Sequence, residues 1–421
     1  MESENKQSSS TSRKCSTIVL NISKNEYSLF IANAVLCKAI IKKSIESYPE
    51  LFPEGTSGNN FQLNGSTRVS KKTGYRLKKI IIAGLHYEIR PAWLLSYQRG
   101  ESKDVKWAIF LIKFGVPFWA LALVFGKYAM YWYRLFVSLA RNSIVGTTIK
   151  RIPTPVNLIA DEEHTRTKGN KSYIATTIAK GCILGVEVAK SAGETDLKKA
   201  YNVFKQEALD LNPDYQPKTI NTDGWTPLRK VLKELWVNVT LIQCILHAYI
   251  KIRDRATKKL RASFDVAKEK IWNCYNAVNK REFSQRVRRL KQWTKKSVEE
   301  SPMKNNILDF CNKRDKWNLF YNHPQAYRTS NMLDRIMKQM SRFIFNNQYF
   351  HASNESATKL MRAFALLHNF APYCPWTIKL NNKWKSPFER VNELRYANDW
   401  FENLMIATSL GGYKYNHCNT L

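Results

Sequence analysis

Cysteine is scarce in this chain: eight residues in 421, scattered from Cys15 to Cys418, with no Cys-x-x-Cys pair anywhere. That excludes a disulfide-stapled scaffold and removes the spacing a zinc ribbon needs. Acidic residues are few, 34 Asp and Glu against 67 Lys and Arg, which leaves a formal net charge of +33. A folded chain this positive repels itself unless a polyanion shares its surface. Nucleic acid is the first partner to consider and an anionic membrane surface the second. Polar low-complexity sequence is also scarce: hydrophobic residues make up 44% and aromatics 12%, too many for a largely disordered protein. The opening MESENKQSSSTSRKC is polar and Ser-rich and lacks the apolar core of a secretory signal. The expected compartment is a reducing cytoplasm. No internal repeat is visible.

An unbroken hydrophobic run of bilayer length is missing too. The nearest is residues 107–126, WAIFLIKFGVPFWALALVFG, interrupted by Lys113, Gly115 and Pro117 and followed by Lys127. A charge at that depth costs about 2.5–3.5 kcal/mol on insertion scales. The segment reads better as two short helices around a break at Phe114–Pro117, a turn at Phe125–Lys127, and a third helix from about Tyr128 to Arg141. Pro117 suits a helix first turn and Gly126 a chain reversal. Two apolar helices, a glycine turn and an aromatic-basic helix form a helix-turn-helix pattern. Lys127, Tyr131, Arg134 and Arg141 are its candidate DNA contacts. The expected partner is double-stranded DNA, with no membrane.

Composition shifts divide the chain. Residues 1–15 are expected to be a disordered tail, 16–100 a small mixed N-terminal domain, and 101–150 the helix-turn-helix-like segment. RIPTP (151–155) is a linker, because its prolines disfavour helix on either side. Beyond it come apolar runs at Val156–Ala160, Ser172–Thr177 and Cys182–Ala189, the last two joined through Gly181 as a hairpin. A helix is expected over Asp196–Leu211 with Thr195 as its cap. A strand follows at Lys218–Thr222, a helix at Thr226–Trp236 and β-branched residues at Val237–Leu241. Alternation alone gives some α/β domain. The order strand-strand-strand-helix-strand-helix-strand, with Asp161 closing the first strand and Asp223 the fourth, is that of a ribonuclease-H-like core. That core would span 151–247, pause for a basic helical insertion at 248–325, and finish at 326–375, before a helical C-terminal tail at 376–421.

Between residues 251 and 300 stand 16 Lys and Arg against 6 Asp and Glu. The run REFSQRVRRLKQWTKK sets Phe283 and Trp293 among Arg286, Arg288, Arg289, Lys291, Lys295 and Lys296. Charged helix faces are commonly just solvated, but this density suits a helix that tracks phosphates.

Asp161 and Asp223 carry the chemistry of this reading. Phosphoryl transfer on a polynucleotide can run on two magnesium ions about 3.5–4 Å apart, held by hard carboxylate oxygens. Neighbouring strands lie about 4.8 Å apart, so two acids at adjacent strand ends could share a metal. His164, Arg166 and Lys168 follow closely and could reach the metals or DNA phosphates.

The stretches LIADEEHTRTKGNKSYIATT, GCILGVEVA, NTDGW, CILH, RTSNMLDR and FHASNESATKLMRAFALLHNFAPY, within about 155–375, resemble bacterial insertion-sequence transposases of the Mutator-like group. The resemblance implies a DDE-type enzyme with a ribonuclease-H-like core, two magnesium ions, binding to terminal inverted repeats and target DNA, and a homo-oligomer associated with the bacterial nucleoid. It implies Asp161 and Asp223 as the first two acids, 62 residues apart, and Cys244 and His247 as a site-adjacent pair on the strand after the second. The third acid would be Asp334, in Ser330-Asn331-Met332-Leu333-Asp334-Arg335, where relatives carry Glu. Its shorter arm needs a closer backbone, which keeps Glu389 and Glu355 as alternative third acids. It also keeps open a catalytically inactive DNA-binding descendant as the alternative function.

Overall fold

The computed structural model describes residues 15–95, 100–380 and 383–413. The segment 1–15, expected to be disordered, lies outside them except for Cys15.

The chain begins with a four-stranded sheet. Strand β1 (Thr17–Leu20) leads into helices α1 (Lys24–Ala32) and α2 (Ala34–Ser47), then β2 (Phe61–Ser66), β3 (Lys78–Ile82) and β4 (Leu85–Pro91). The sheet order is β1-β4-β3-β2, with β1 parallel to β4 and the other pairs antiparallel. Three helices follow: α3 (Ser102–Ile112), α4 (Phe118–Phe125) and α5 (Ala129–Ser138). Pro117 caps α4, and the chain reverses at Gly126 and Lys127, both at positive φ. Lys113 is buried inside the protein, its Nζ donating to the Ala371 carbonyl at 3.3 Å. Among the described residues no helix is long and apolar enough to cross a membrane.

After the short α6 (Ile144–Thr148) comes a second, five-stranded sheet: β5 (Asn157–Thr167), β6 (Asn170–Ala179), β7 (Cys182–Ala189), β8 (Thr219–Thr222) and β9 (Thr240–Gln243). Its order is β7-β6-β5-β8-β9, antiparallel from β5 to β7 and parallel from β5 through β8 to β9. Two-residue turns join β5 to β6 and β6 to β7. Lys168–Gly169 and Lys180–Gly181 are at positive φ throughout, the twist that matches paired strands. Helices α7 (Glu194–Leu211) and α8 (Thr226–Leu235) cover one face. Leu197, Ala200, Tyr201, Phe204 and Ala208 form the buried stripe of α7. Gly185 of β7 lets α7 approach, since a Cβ there would stand 2.6 Å from Cβ of Phe204.

A helical excursion then leaves the sheet: α9 (Ile245–Arg253), α10 (Arg261–Tyr275), α11 (Lys280–Ser297), α12 (Pro302–Asn312) and α13 (Arg314–Asn318). It has its own core, including Phe264, Ile271, Phe283, Leu290 and Phe310. The chain returns in α14 (Asn331–Asn346) and α15 (Asn354–Phe370), which cover the other sheet face, and ends in α16 (Pro375–Leu380), α17 (Pro387–Asn392) and α18 (Trp400–Ala407). One hydrophobic core joins the first sheet, α3 to α5, α14, α15 and α18. The fold is therefore mixed α/β with a large helical insertion.

Three sequence expectations shift. β5 does not stop at Asp161: its polar half pairs with β6 from Asp161 opposite Thr176 to Thr167 opposite Asn170. Hairpin hydrogen bonds hold this half as strand although its side chains are polar. α7 begins two residues earlier and is capped by Gly193, so Thr195 lies in its first turn. Val237 is in an exposed turn, and β9 starts at Thr240.

Candidate metal and nucleic-acid site

Asp161 lies in the central strand, where β5 passes from the buried Leu158-Ile159-Ala160 to its polar half. Side chains alternate along a strand. Ile159 packs into the core shared with α14 and α15, while Leu158 and Ala160 pack with α7 and α8. Asp161 therefore shares the α14 face, and Glu162, His164 and Arg166 take the other. Asp223 follows β8 directly. The parallel register pairs Asn157 with Thr219 and Ile159 with Asn221, so Asp161 and Asp223 each stand two residues past the last pair of that ladder. The chain turns away at Gly224, whose φ of +94° favours glycine, and Asp223 Oδ1 accepts the Trp225 N–H at 2.7 Å.

Cys244 and His247 lie just past the strand where they were expected. β9 ends at Gln243, Cys244 is the N-cap of α9, and His247 is in the helix's first turn. Asp334 occupies the first turn of α14, one turn after the buried cap Ser330. The hydroxyl of Ser330 does not cap the helix but lies 3.2 and 3.3 Å from the two carboxylate oxygens of Asp334. It is also 3.4 Å from His247 Nδ1, and its backbone N–H donates to Cys244 Sγ at 3.2 Å. His247 Nε2 stands 4.0 Å from Asp161 Oδ2.

Asp161, His247 and Asp334 thus converge, each offering a ligand atom, all within 4.8 Å of one another. Asp223 is outside this trio, though its charge reaches Asp161. Burial, and after it the charge of Asp223, raises the Asp161 carboxyl to about 6. Burial also raises Asp334. Contact with Cys244, then the charges of Cys244, Asp161 and Asp334, outweigh burial and hold His247 up to about 9. For Cys244, burial pushes up, but its bonds to His247 and Ser330 prevail and the thiol is lowered. Two carboxylates and an imidazole suit a divalent cation. The oxygens are magnesium or manganese donors, while the nitrogen suits softer ions such as zinc or iron.

Two neighbours carried no sequence signal beyond adjacency to Asp161. Glu162 is raised to about 8 by burial and accepts a 2.7 Å bond from Tyr201, whose hydroxyl also reaches the Asp161 carbonyl at 3.2 Å. Nothing in the spacing of α7 foretold that Tyr201 would lie against this strand.

Other expected residues lie apart. Glu389 is buried, accepts the Lys385 N–H at 2.9 Å and pairs with Arg395 at 2.6 Å. Glu355 is on the surface beside Lys359. Neither joins the trio. His164 is exposed with its ring against Tyr173, Arg166 is exposed on the face opposite Asp161, and Lys168 is in the hairpin turn.

Of the helix-turn-helix candidates, Lys127, Arg134 and Arg141 are exposed. Tyr131 is not available to DNA: it is buried, its ring against Trp132, because it falls on the stripe of α5 that includes Leu135. In the insertion, Phe283 is likewise core rather than an aromatic facing a partner. Arg288, Arg289, Lys295 and Lys296 are exposed. Arg286 bonds Glu282 and the Asn273 carbonyl, and Lys291 bonds Asn312 at 2.7 Å.

No protein-family model matches this chain, and no curated protein does.

Proposed function

We propose that this protein is a DNA transposase of the DDE type, cutting element ends and joining them to target DNA with divalent-metal help. The observation that carries the reading is the convergence of Asp161 and Asp334, 173 residues apart in sequence, with His247, near enough to Asp223 for its charge to raise Asp161. The strand order, with β5 central and β8 parallel to it, supports a ribonuclease-H-like core. The net charge of +33 and the exposed arginines of α11 support a double-stranded DNA partner, and such a partner would place the protein at the bacterial nucleoid.

Asp161 and Asp334 would hold the metal, with Asp223 completing a site for two magnesium ions. When bound, the metal would supply charge neutralisation at the scissile phosphate and activation of the attacking oxygen. The protein's own part is positional. β5 and β8 hold two acids at matched depth, and Ser330 orients the third. His247, held up to about 9, would offset the repulsion among the carboxylates before metal binds, and on losing its proton would offer its nitrogen as a ligand. Pairing two DNA ends calls for at least a dimer.

The test is strand cleavage on labelled DNA from the flanks of the coding region, with magnesium or manganese. Wild type should cut, and Asp161→Asn and Asp334→Asn should not. Equal cutting by all three would remove the metal-site reading. One observation favours a second reading, an inactive DNA-binding descendant: Asp334 is one methylene shorter than the glutamate of the family it resembles. Robust wild-type cutting would remove that reading.

A further inference from the structure

Helix α4 breaks the rule that a solvated helix carries a polar outer face. Its sequence, FWALALVF, has no polar residue, yet only Leu121 is buried. Leu123 is 79% and Trp119 67% exposed, and Val124 is open beside them. Tyr128 and Met130, on the turn after α4 and the first residues of α5, are exposed as well. From Val105 to Ala160 the sequence holds no Asp or Glu, and α4 itself carries no charge of either sign.

We propose that the face of α4 and the following turn is where a second copy of this chain docks, α4 against its twofold mate. The open apolar surface of these five side chains is on the order of 600–700 Å². A monomer's largest patch is about 300–600 Å², and a standard interface buries about 800 Å² per partner. Trp, Tyr and Met are the residues that interface cores favour. A copy carrying +33 meets its twin most readily where like charges are sparse: α4 carries none, and the contact has only to accommodate the exposed Lys127 of the following turn. A lipid surface fits less well, because helices that lie on membranes pair their apolar face with a strongly charged one. A twofold contact is self-complementary and closes at two copies.

This inference does not rest on the metal-site reading, and its test needs neither DNA nor metal. The mass of the full chain would be measured by light scattering during size exclusion, at about ten to fifty micromolar and moderate salt. The expected result is twice the mass of one chain for wild type, and one chain for Leu123→Glu and for Trp119→Lys, with unchanged circular dichroism. Two surface variants are used so that one misfolded protein does not decide the outcome. A wild type that stays monomeric overturns the proposal, as does a dimer that survives both substitutions. Flotation of a monomeric wild type with phosphatidylserine vesicles would also overturn it, in favour of a lipid surface.

Discussion

The Ser330 hydroxyl and the Asp334 carboxylate are one helical turn apart and 3.2 Å from each other, in a position where a cap residue would ordinarily serve the helix backbone. The same serine is 3.4 Å from His247 Nδ1 and bonds Cys244 through its N–H. It therefore ties the returning chain to the end of β9 and fixes the rotamer of Asp334. Ser330→Ala should weaken manganese binding roughly 10- to 100-fold, the usual cost of losing a group that orients a ligand. Calorimetric titration checks this, and an affinity equal to wild type would sink the role given to Ser330.

Asp334 and Glu389 part company under substitution. Asp334→Asn should abolish metal binding with little change in melting temperature, since its carboxylate is half-exposed and burial already disfavours its charge. Glu389→Gln should cost about 3 kcal/mol of stability and leave metal affinity intact, because it strands Arg395 beside a buried neutral group. The reverse pattern would make Glu389 the third acid.

Salt should read out the insertion. If Arg288 and Arg289 contact phosphates, their joint replacement by alanine should lower the slope of log affinity against log salt by about 2, with affinity falling similarly on unrelated DNA sequences. An unchanged slope would mean that these arginines face solvent only.

Acid should destabilise the protein through His368. Its Nε2 is 3.1 Å from the Gly181 carbonyl, and burial, with the Lys113 charge, lowers it from 6.5 to about 3. Above pH 6.5 the imidazole is neutral whether the chain is folded or not and contributes nothing. Below 6.5 the unfolded chain gains a proton that the folded one refuses, so stability falls, by about 2 kcal/mol at pH 5. His368→Gln should flatten denaturation midpoints between pH 6.5 and 4. Parallel pH profiles for the two proteins would contradict this.

Strand order was readable, and with it the places of Asp161 after the apolar start of β5 and of Asp223 after the β-branched, buried TINT of β8. The helix breaks at Pro117 and Gly126 were readable because those residues restrict or free φ in a known way. Tyr131 was misread because an aromatic among basic residues looks the same in sequence whether it faces DNA or fills a core, and only α5's packing distinguishes them. The polar half of β5 was invisible for another reason: DEEHTRT is held by hairpin hydrogen bonds, which leave no hydrophobic period to detect. The role of Ser330 had no signal in the sequence, since a serine before a helix ordinarily serves as a cap.

The excursion from Ile245 to Thr329 leaves and re-enters beside the sheet at a doorway where the Ile245 N–H donates to the Arg328 carbonyl at 3.3 Å and Tyr327 accepts from Asn221 and Lys180, both at 2.8 Å. Everything hung on that doorway is structurally a cassette: its interior is self-contained, and its length is invisible to the strands behind it. Residues could be added or removed at its far tips without altering the distance from β9 to α14, whereas a push on the cassette as a whole arrives first at Cys244 and Ser330.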